Sequence, residues 1–262
     1  MRIGVITGSG SYDWPSLDEA CERTVATEFG DVTVTEGRIK DAEVVHLSRH
    51  GAGHHRLSHQ VEHRANLAAL LACHVQALVS FTVCGAVDLA AEPGSLVVFD
   101  DLYFPSNRLP DGSPCTWYDT PGAPGRGHWI FEAPFSEPLR QHLIAAAAHT
   151  GAPVLARGTY GHVDGPRFNS RSEIAALARA GVTAVSQTAG PEVVLAGEAE
   201  LPMALVGYVT DYANGVAPAP EPVEALLARM ASSTQVFTAL AEHALPGLDT
   251  AAAAGFVYRF DA

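Results

Sequence analysis

The sequence has little of what marks membrane, secreted or nucleic-acid-binding proteins. No apolar run approaches the roughly 18–20 residues that span a bilayer, and the start MRIGVITG lacks the basic, apolar and cleavage regions of a signal peptide. Only 16 Lys and Arg stand against 29 Asp and Glu, a formal net charge of −13. Nucleic-acid surfaces neutralise phosphates with such cations. We therefore expect a cytoplasmic protein with no membrane or nucleic-acid partner.

Cysteine is also scarce. The chain has four cysteines and none of them shows C-x-x-C spacing: Cys21, Cys73, Cys84 and Cys115. This pattern fits reduced thiols in a reducing compartment. Cys73 and Cys84 lie in apolar segments, so we predict that they are small core residues.

The chain does contain the alternation of apolar runs and helical patterns that is typical of an α/β protein. With 262 residues and 47% hydrophobic content, it can bury a sizeable core. Apolar runs rich in β-branched residues predict buried strands at Ile3–Thr7, Glu43–Ser48, Ala77–Val83, Ser95–Phe99, Thr183–Ser186 and Met203–Thr210. Helical periodicity predicts helices at Gln60–Cys73, Ser136–Thr150, Arg171–Ala180, Glu192–Glu200 and Pro222–His243. Because no repeat or linker interrupts the pattern, we expect a single domain over residues 1–262.

Two segments depart from this alternation. Asn107–Arg126 is rich in Pro, Gly and Asp and has no periodicity. Since long loops are often lids or binding elements, we predict an active-site or interface insertion at residues 107–126. In the C-terminal tail, residues 246–262, the Ala-rich stretch Asp249–Ala254 is predicted to be loosely ordered, and Phe256–Phe260 is a candidate to dock on a partner.

Polar side chains follow two of the predicted strands. Gly8-Ser9-Gly10-Ser11 offers backbone N–H groups and hydroxyls to an anion, but it lacks the third glycine or the lysine of the nucleotide-binding motifs. A tight strand-to-helix turn is the alternative. Arg49-His50 offers a cation that can grip a phosphate bidentately, next to a donor that titrates near neutral pH. A surface ion pair is the alternative there.

A histidine cluster follows the same strand. Spacings of four would place imidazoles on one helical face, so a zinc site has to be considered for His50, His54, His55, His59 and His63. Gly51 and Gly53 argue against a continuous helix, and no cysteine ligand or H-E-x-x-H motif accompanies the cluster. We predict a polar loop with no metal.

Three further stretches place polar groups beside strand ends. Thr82 lies near the end of a buried strand that runs to Gly85, and its hydroxyl could serve an oxyanion or simply close the strand. The turn from Asp164 to Asn169 presents Phe168 either to a ligand or to the core. Asp211 ends the strand Met203–Thr210, and ligands of α/β proteins bind at such carboxyl ends.

Together these features follow a family pattern. The order is Ser9, Arg49-His50, Thr82, the G-P-R-F of 165–168, the T-x-x-P-E of 188–192 and the V-T-D of 209–211. Over nearly the whole chain it resembles the trimeric purine nucleoside phosphorylases, and within them the methylthioadenosine phosphorylase branch. The resemblance implies a single-domain three-layer sandwich, with a mixed and partly barrel-like central sheet flanked by helices. It also implies a homotrimer or a dimer of trimers.

The resemblance implies cleavage of a purine nucleoside by inorganic phosphate, with no cofactor, giving free base and ribose 1-phosphate. It assigns phosphate binding to Ser9, Arg49, His50, Thr82 and Thr188. It assigns nucleoside binding to Phe168, Asn169, Gln187, Asp211, Ala213 and His128. Of these, His128 would reach into the site of a neighbouring subunit near the 5′ end of the sugar.

Asp211 is the candidate acid that protonates the purine at N7. A carboxyl of ordinary pKa near 4 is mostly ionised at neutral pH, so this role requires burial that raises the pKa. Asp211 could instead stay anionic and hold a proton delivered from solvent. In the family an aspartate here goes with 6-amino purines, so we expect a 5′-modified adenosine, with 5′-methylthioadenosine first.

Three departures from the family pattern keep other substrates open. Ala213 replaces a second aspartate, Asn169 replaces a serine, and Gln187 replaces a methionine under the ribose. Burying a glutamine without partners costs about 1–3 kcal/mol, so we hypothesise that Gln187 bonds a ribose hydroxyl or a modified sugar. A 6-oxopurine nucleoside phosphorylase is the nearest alternative, and a non-catalytic nucleoside-binding protein is a further one.

Overall fold

The computed structural model describes residues 1–11, 14, 17–219, 221–248 and 251–260. The strands in this part of the chain are β1 Arg2–Thr7, β2 Asp18–Thr27, β3 Gly30–Ile39, β4 Ala42–Ser48, β5 Ala77–Ala86, β6 Leu96–Val98, β7 Asp101–Tyr103, β8 Gly127–Ile130, β9 Val154–Leu155, β10 Thr159–His162, β11 Ala184–Ser186, β12 Met203–Tyr212 and β13 Phe256–Arg259. The α-helices are α1 His63–Ala72, α2 Glu137–Ala147, α3 Arg171–Arg179, α4 Ala189–Glu198 and α5 Val223–Ala244. None of these helices is long and apolar enough to cross a membrane.

Strand β5 is the centre of one mixed, eleven-stranded sheet. The main path of the sheet runs β2-β3-β4-β1-β5-β11-β10-β7. β5 pairs in parallel with β1 and β12 and antiparallel with β11, so the sheet branches at this strand. β8 and β13 form a separate antiparallel pair. Because β1, β4, β5 and β12 run in the same direction, their carboxyl ends lie at one edge.

The two faces of the sheet carry two hydrophobic cores. Along β5, Leu78 belongs to a core that includes residues of α1 and α4, while Val79 and Phe81 belong to a core that includes residues of α2 and α5. This division follows from the period of two in a strand, which sends successive side chains to opposite faces. The layers are therefore helix, sheet and helix, and the predicted α/β class with a mixed sheet flanked by helices is confirmed.

All six predicted strands and all five predicted helices are present, with shifted ends. Helix α4 begins at Ala189 and not at Glu192. Pro191 lies in its first turn, where proline is tolerated because the missing N–H would have no partner in the helix. The hairpin β2–β3 was not predicted from the sequence. In β2 only Val25 is buried, so the strand shows no apolar alternation.

The insertion at residues 107–126 is anchored to two helices. Arg64 Nε of α1 donates to the Thr116 carbonyl at 2.9 Å, and Trp117 Nε1 donates to the Leu195 carbonyl of α4 at 2.8 Å. Cys115 within it is fully buried, and Cys73 and Cys84 are buried as predicted. The insertion is thus packed against the body of the fold.

The C-terminal tail packs against β8 of the same chain. β13 pairs with β8, and Trp129 Nε1 donates to the Ala254 carbonyl at 2.7 Å. The predicted looseness of Asp249–Ala254 falls partly outside the described residues, because Asp249 and Thr250 are not among them. The aromatic segment Phe256–Phe260 packs on β8 of the same chain, yet three of its side chains remain more than half exposed: Phe256, Tyr258 and Phe260.

Candidate active site

A cavity of about 320 Å³ lies at the edge of the sheet where the parallel strands end. All five residues predicted to bind phosphate line it: Ser9, Arg49, His50, Thr82 and Thr188. Five of the six residues predicted to bind nucleoside line it as well: Phe168, Asn169, Gln187, Asp211 and Ala213. His128 does not line it. The size and the mixed apolar and polar lining are those of a small-molecule site.

Close packing explains why the turn after β1 contains glycines. A side-chain carbon at Gly8 would lie 2.4 Å from Arg49 Nη1, and one at Gly10 would lie 2.8 Å from the Met230 carbonyl of α5. Gly10 also has φ +86°, which favours glycine. Ser11 N–H donates to the Gly8 carbonyl at 3.2 Å, which closes the turn. The glycines therefore admit Arg49 and α5, and the turn carries Ser9 at the cavity.

Arg49 is fully buried and forms an ion pair with Glu192. Its Nε donates to Glu192 Oε1 at 2.6 Å and its Nη2 to Glu192 Oε2 at 3.0 Å. Nη2 also donates to Ser80 Oγ at 2.6 Å, and Nη1 donates to the Phe81 carbonyl at 2.8 Å. Glu192 therefore occupies the face of the guanidinium that we predicted to bind phosphate through two hydrogen bonds. Of its five N–H groups, one on Nη1 has no acceptor among the described residues.

His50 is neutral in this setting. Burial, with the positive charge of Arg49 beside it, lowers the pKa of His50 to about 4. Its Nδ1 lies 2.8 Å from the Arg56 carbonyl. A carbonyl only accepts, so Nδ1 carries the proton and Nε2 carries a lone pair. The His54 ring stacks on His50 with centroids 4.1 Å apart.

Thr188 precedes α4 as its N-cap residue, but its hydroxyl does not cap the helix. The first two N–H groups of the helix have other acceptors: Ala189 N–H donates to Tyr160 Oη at 3.1 Å and Gly190 N–H to His162 Nδ1 at 3.3 Å. An anion at this helix end would therefore meet Thr188 itself and not a row of free amides. Thr82 Oγ1 lies 3.1 Å from Ser186 Oγ at the same wall.

Asp211 reaches the cavity beside a β-bulge. The β5–β12 register shifts between Val209 and Asp211, which leaves Thr210 as the extra residue, and such bulges re-aim side chains near active sites. Thr210 Oγ1 lies 2.8 Å from Asp211 Oδ1 and 3.2 Å from the Cys84 carbonyl. Burial raises the pKa of the Asp211 carboxyl, and the hydrogen bond from Thr210 opposes part of that rise. The burial required for an acid is therefore present.

The loop that carries Phe168 and Asn169 is the exposed side of the site. Phe168 is 68% exposed and lines the cavity, so its ring is not a core residue. Arg167 forms an ion pair with Glu173 at 2.7 Å. Asn214 Nδ2 donates to the backbone carbonyl of Asn169 at 2.8 Å, and Asn169 lines the cavity.

Gln187 is bonded to protein groups on both sides of its amide. Its Oε1 accepts from Ser58 Oγ at 2.9 Å, and its Nε2 donates to the Arg167 carbonyl at 2.9 Å. The polar side chain is therefore partnered without a ligand. One N–H and one lone pair remain beyond these two contacts.

Two predicted elements lie away from this cavity within the single chain. His128 is on β8, where its ring contacts Phe260 edge-on with centroids 5.2 Å apart. No residue of the 107–126 insertion lines the cavity.

Several site residues were not identified from the sequence. Glu192 stood in the T-x-x-P-E motif without a role, although a carboxylate within the apolar α4 signals a buried cation as partner. Arg229 of α5 donates to the Thr210 carbonyl at 3.0 Å and pairs with Glu221. Leu226 and Met230 of α5 also line the cavity. Their spacing of four was visible, but it does not distinguish a cavity wall from a core contact.

The predicted polar loop after β4 contains two short 3₁₀ turns, Ala52–His54 and Ser58–Gln60, and no continuous helix. Among the described residues, no group of three or more His, Cys, Asp and Glu is arranged to hold a metal ion. In this segment the rings of His50 and His54 stack on each other, and His50 Nδ1 lies 2.8 Å from the Arg56 carbonyl.

Asp211→Asn is expected to raise stability in a pH-dependent way. Because the pKa of Asp211 is raised in the folded state, its contribution to stability is present below the unfolded value near 4 and is lost as pH rises through the folded value. The free energy of unfolding of the Asn variant, minus that of the wild type, should therefore increase with pH over this window and then level off. Urea unfolding at a series of pH values measures it. Asp31→Asn on β3 is the matched control, and equal profiles for the two variants would contradict the expectation.

Comparison with known proteins agrees with this geometry. The sequence model of the Phosphorylase superfamily matches residues 2–246. The chain is 37% identical over 220 residues to the 6-oxopurine nucleoside phosphorylase of Pyrococcus furiosus, which covers 82% of this chain and 81% of the relative. It is 35% identical over 216 residues to the S-methyl-5′-thioadenosine phosphorylase of Drosophila melanogaster, covering 81% and 73%.

A solved structure shows the same fold. The methylthioadenosine phosphorylase from Schistosoma mansoni in complex with adenine superposes with a TM-score of 0.85 at 28% identity, over 94% of this chain and 90% of the other. The matches extend from β1 through α5 and include every strand end that lines the cavity. The chain belongs to the Phosphorylase superfamily.

Proposed function

We propose that this protein is a cytoplasmic enzyme of purine salvage that cleaves purine nucleosides with inorganic phosphate. The products are the free base and a ribose 1-phosphate, and 5′-methylthioadenosine is the first substrate to test. The observation that carries the proposal is that one cavity brings a cation, a histidine and hydroxyls together with a buried carboxyl and an aromatic ring. The cation, the histidine and the hydroxyls suit the attack by phosphate, and the carboxyl and the aromatic ring suit the departure of the purine.

The chemistry follows from these groups. A phosphate oxygen bonds to C1′ while the C1′–N9 bond breaks, and the electron pair of that bond moves into the purine. The sugar passes through an oxocarbenium-like state, whose positive charge the nearby phosphate stabilises. Asp211 delivers a proton to N7, so the purine leaves as a neutral base and the negative charge remains on the Asp211 carboxylate. Burial keeps this carboxyl protonated to higher pH than an exposed aspartate, as an acid requires.

Features of the cavity support a 5′-modified adenosine. An aspartate can accept from the 6-amino group, which favours adenine over a 6-oxo purine. Leu226 and Met230 form an apolar part of the cavity wall. An apolar 5′ substituent can pack against it without breaking a hydrogen bond. Methylthioadenosine phosphorylases among the relatives and solved structures point the same way.

A 6-oxopurine nucleoside is the second candidate, for two reasons. The 6-oxopurine nucleoside phosphorylase of Pyrococcus furiosus is one of the relatives with higher identity. In addition, the Asn169 amide can donate to a 6-oxo group, and Ala213 offers no second carboxylate to oppose it. Both candidates share the reaction and differ in the base.

A nucleoside panel with and without phosphate tests the reaction and the base together. We expect phosphate-dependent release of adenine from 5′-methylthioadenosine, and Asp211→Asn should lower kcat/KM on it by at least about 100-fold through loss of the acid. Chromatography identifies the base and the sugar phosphate. Release of hypoxanthine alone would favour the second candidate. Nucleoside binding without phosphate-dependent turnover would contradict the enzyme.

His50 should bind phosphate by accepting a hydrogen bond at Nε2. Nδ1 already donates to Arg56, and HPO4²⁻, the main form of phosphate at about pH 8, keeps one hydrogen that it can donate to the Nε2 lone pair. Calorimetry at this pH should show that His50→Ala weakens phosphate binding about three- to tenfold, as expected for the loss of one hydrogen bond. Equal phosphate affinity in the wild type and the variant would show that His50 does not contact the phosphate through Nε2.

We infer that the protein is a homotrimer, with the β8–β13 pair in the interface. Five large apolar side chains on this pair and next to it are at least two-fifths exposed: Ile130, Phe131, Phe256, Tyr258 and Phe260. Contiguous apolar surface of this kind is typical of a protein interface. His128 lies on the same pair, so a neighbouring subunit seated here would be near it.

Charge on this face should dissociate the assembly. Ile130 and Phe256 pair across the two strands, so Ile130→Glu and Phe256→Glu each place a carboxylate in the proposed interface. Sedimentation equilibrium is expected to give three chain masses for the wild type and one for each variant. Leu89→Glu, at a side chain 60% exposed in another part of the surface, is the control. A monomeric wild type would overturn the inference.

A further inference from the structure

Two loops that line the cavity meet at one side chain, Gln187. The loop after β4 carries His50 and then Ser58, and the loop after β10 carries Arg167 and Phe168. Gln187 accepts a hydrogen bond from Ser58 Oγ and donates one to the Arg167 carbonyl, each at 2.9 Å. Gln187 also stands directly before Thr188. One amide therefore links both loops to the end of β11.

The Ser58 end of this link leads back to His50. Arg56 N–H donates to the His50 carbonyl at 2.8 Å, and the Arg56 carbonyl lies 2.8 Å from His50 Nδ1. Ser58 follows two residues later and is only 8% exposed. A shift of Ser58 would therefore be passed to the short turn that orients the His50 ring.

The link also needs the glycine of the second loop. A side-chain carbon at Gly165 would lie 2.1 Å from Ser58 Oγ and 2.2 Å from Gln187 Oε1. The hydrogen bond thus lies directly against the Gly165 backbone, so three segments are packed around it. A methionine at 187, as in the family pattern, would fill space here but could not donate to Arg167, and its thioether is only a weak acceptor.

We propose that Gln187 is a positioning residue that, with Ser58, couples the phosphate side of the cavity to the loop that covers the purine. The inference rests on the proposed function for the identity of the two ligands. Under this proposal Gln187 contacts the two loops, and not the ribose as we hypothesised from the sequence. Binding of either substrate then orders the elements that hold the other.

A double-mutant cycle separates these two roles. Gln187→Met, Ser58→Ala and the double variant are compared with the wild type in steady-state phosphorolysis, with KM measured for phosphate and for nucleoside. Loss of the link should raise both KM values about three- to tenfold in each single variant, which is the range for one neutral hydrogen bond. The double variant should be no worse than the worse single variant, because both changes remove the same contact.

A ribose contact gives a different pattern. Gln187→Met would then raise the KM of the nucleoside alone, Ser58→Ala would leave it unchanged, and the two effects would add. That pattern overturns the proposal, as would unchanged KM values for both substrates in Gln187→Met. Ser232→Ala, an exposed serine of α5, is the matched control for Ser58→Ala.

Two further measurements cover failure of folding or of turnover. If Gln187→Met is unfolded, Gln187→Glu keeps the acceptor for Ser58 but places a carboxylate against the Arg167 carbonyl, so it should raise the KM of the nucleoside more than that of phosphate. If the wild type shows no turnover, the proposed function fails, and hydrogen exchange still tests the link. Exchange at Arg56 N–H should then be faster in Ser58→Ala and in Gln187→Met, and unchanged exchange overturns it.

Discussion

The buried ion pair between Arg49 and Glu192 is the contact on which the rest of the site depends. It joins the end of β4 to helix α4 and, through Ser80 and the Phe81 carbonyl, to β5. Removing one partner of such a pair typically costs about 3–5 kcal/mol, because the other charge is left buried. Since the pair is neutral as a whole, anion binding beside it depends on individual N–H and hydroxyl donors more than on net charge.

The site has a fixed side and an adaptable side. The fixed side consists of strand ends held by backbone pairing, with Thr82, Thr188 and Asp211 on elements packed against the two cores. The adaptable side consists of loops, where Phe168 is 68% exposed and Arg167 pairs with Glu173 near solvent. This division places Asp211, the proposed acid, on the fixed side and Phe168, the proposed contact of the base, on the adaptable side.

Much of the fold could be predicted from the sequence, because apolar runs and helical periodicity are local patterns. Polar residues such as Ser9, Arg49 and Asp211 could be placed at strand ends in the same way. The assignments of Asn169, Gln187 and Ala213 came from the resemblance to a family, and His128, assigned with them, does not line the cavity. What could not be predicted were contacts between distant segments, such as Arg49 with Glu192 and Gln187 with Ser58, because these depend on which strand ends meet. Strand β2 was missed because only one of its residues, Val25, is buried, so its sequence shows no apolar alternation.

Helix α5 forms one wall of the cavity and is held at two separate points. Thr234 Oγ1 donates to the Gly10 carbonyl at 2.5 Å, and Arg229 donates to the Thr210 carbonyl at 3.0 Å. Leu226 and Met230 face the cavity, yet neither takes part in these anchors. Evolution or design can therefore exchange these two side chains and change the shape of the cavity while the sheet edge and its chemistry stay in place. The wall of the cavity and the polar groups at the sheet edge therefore depend on different side chains.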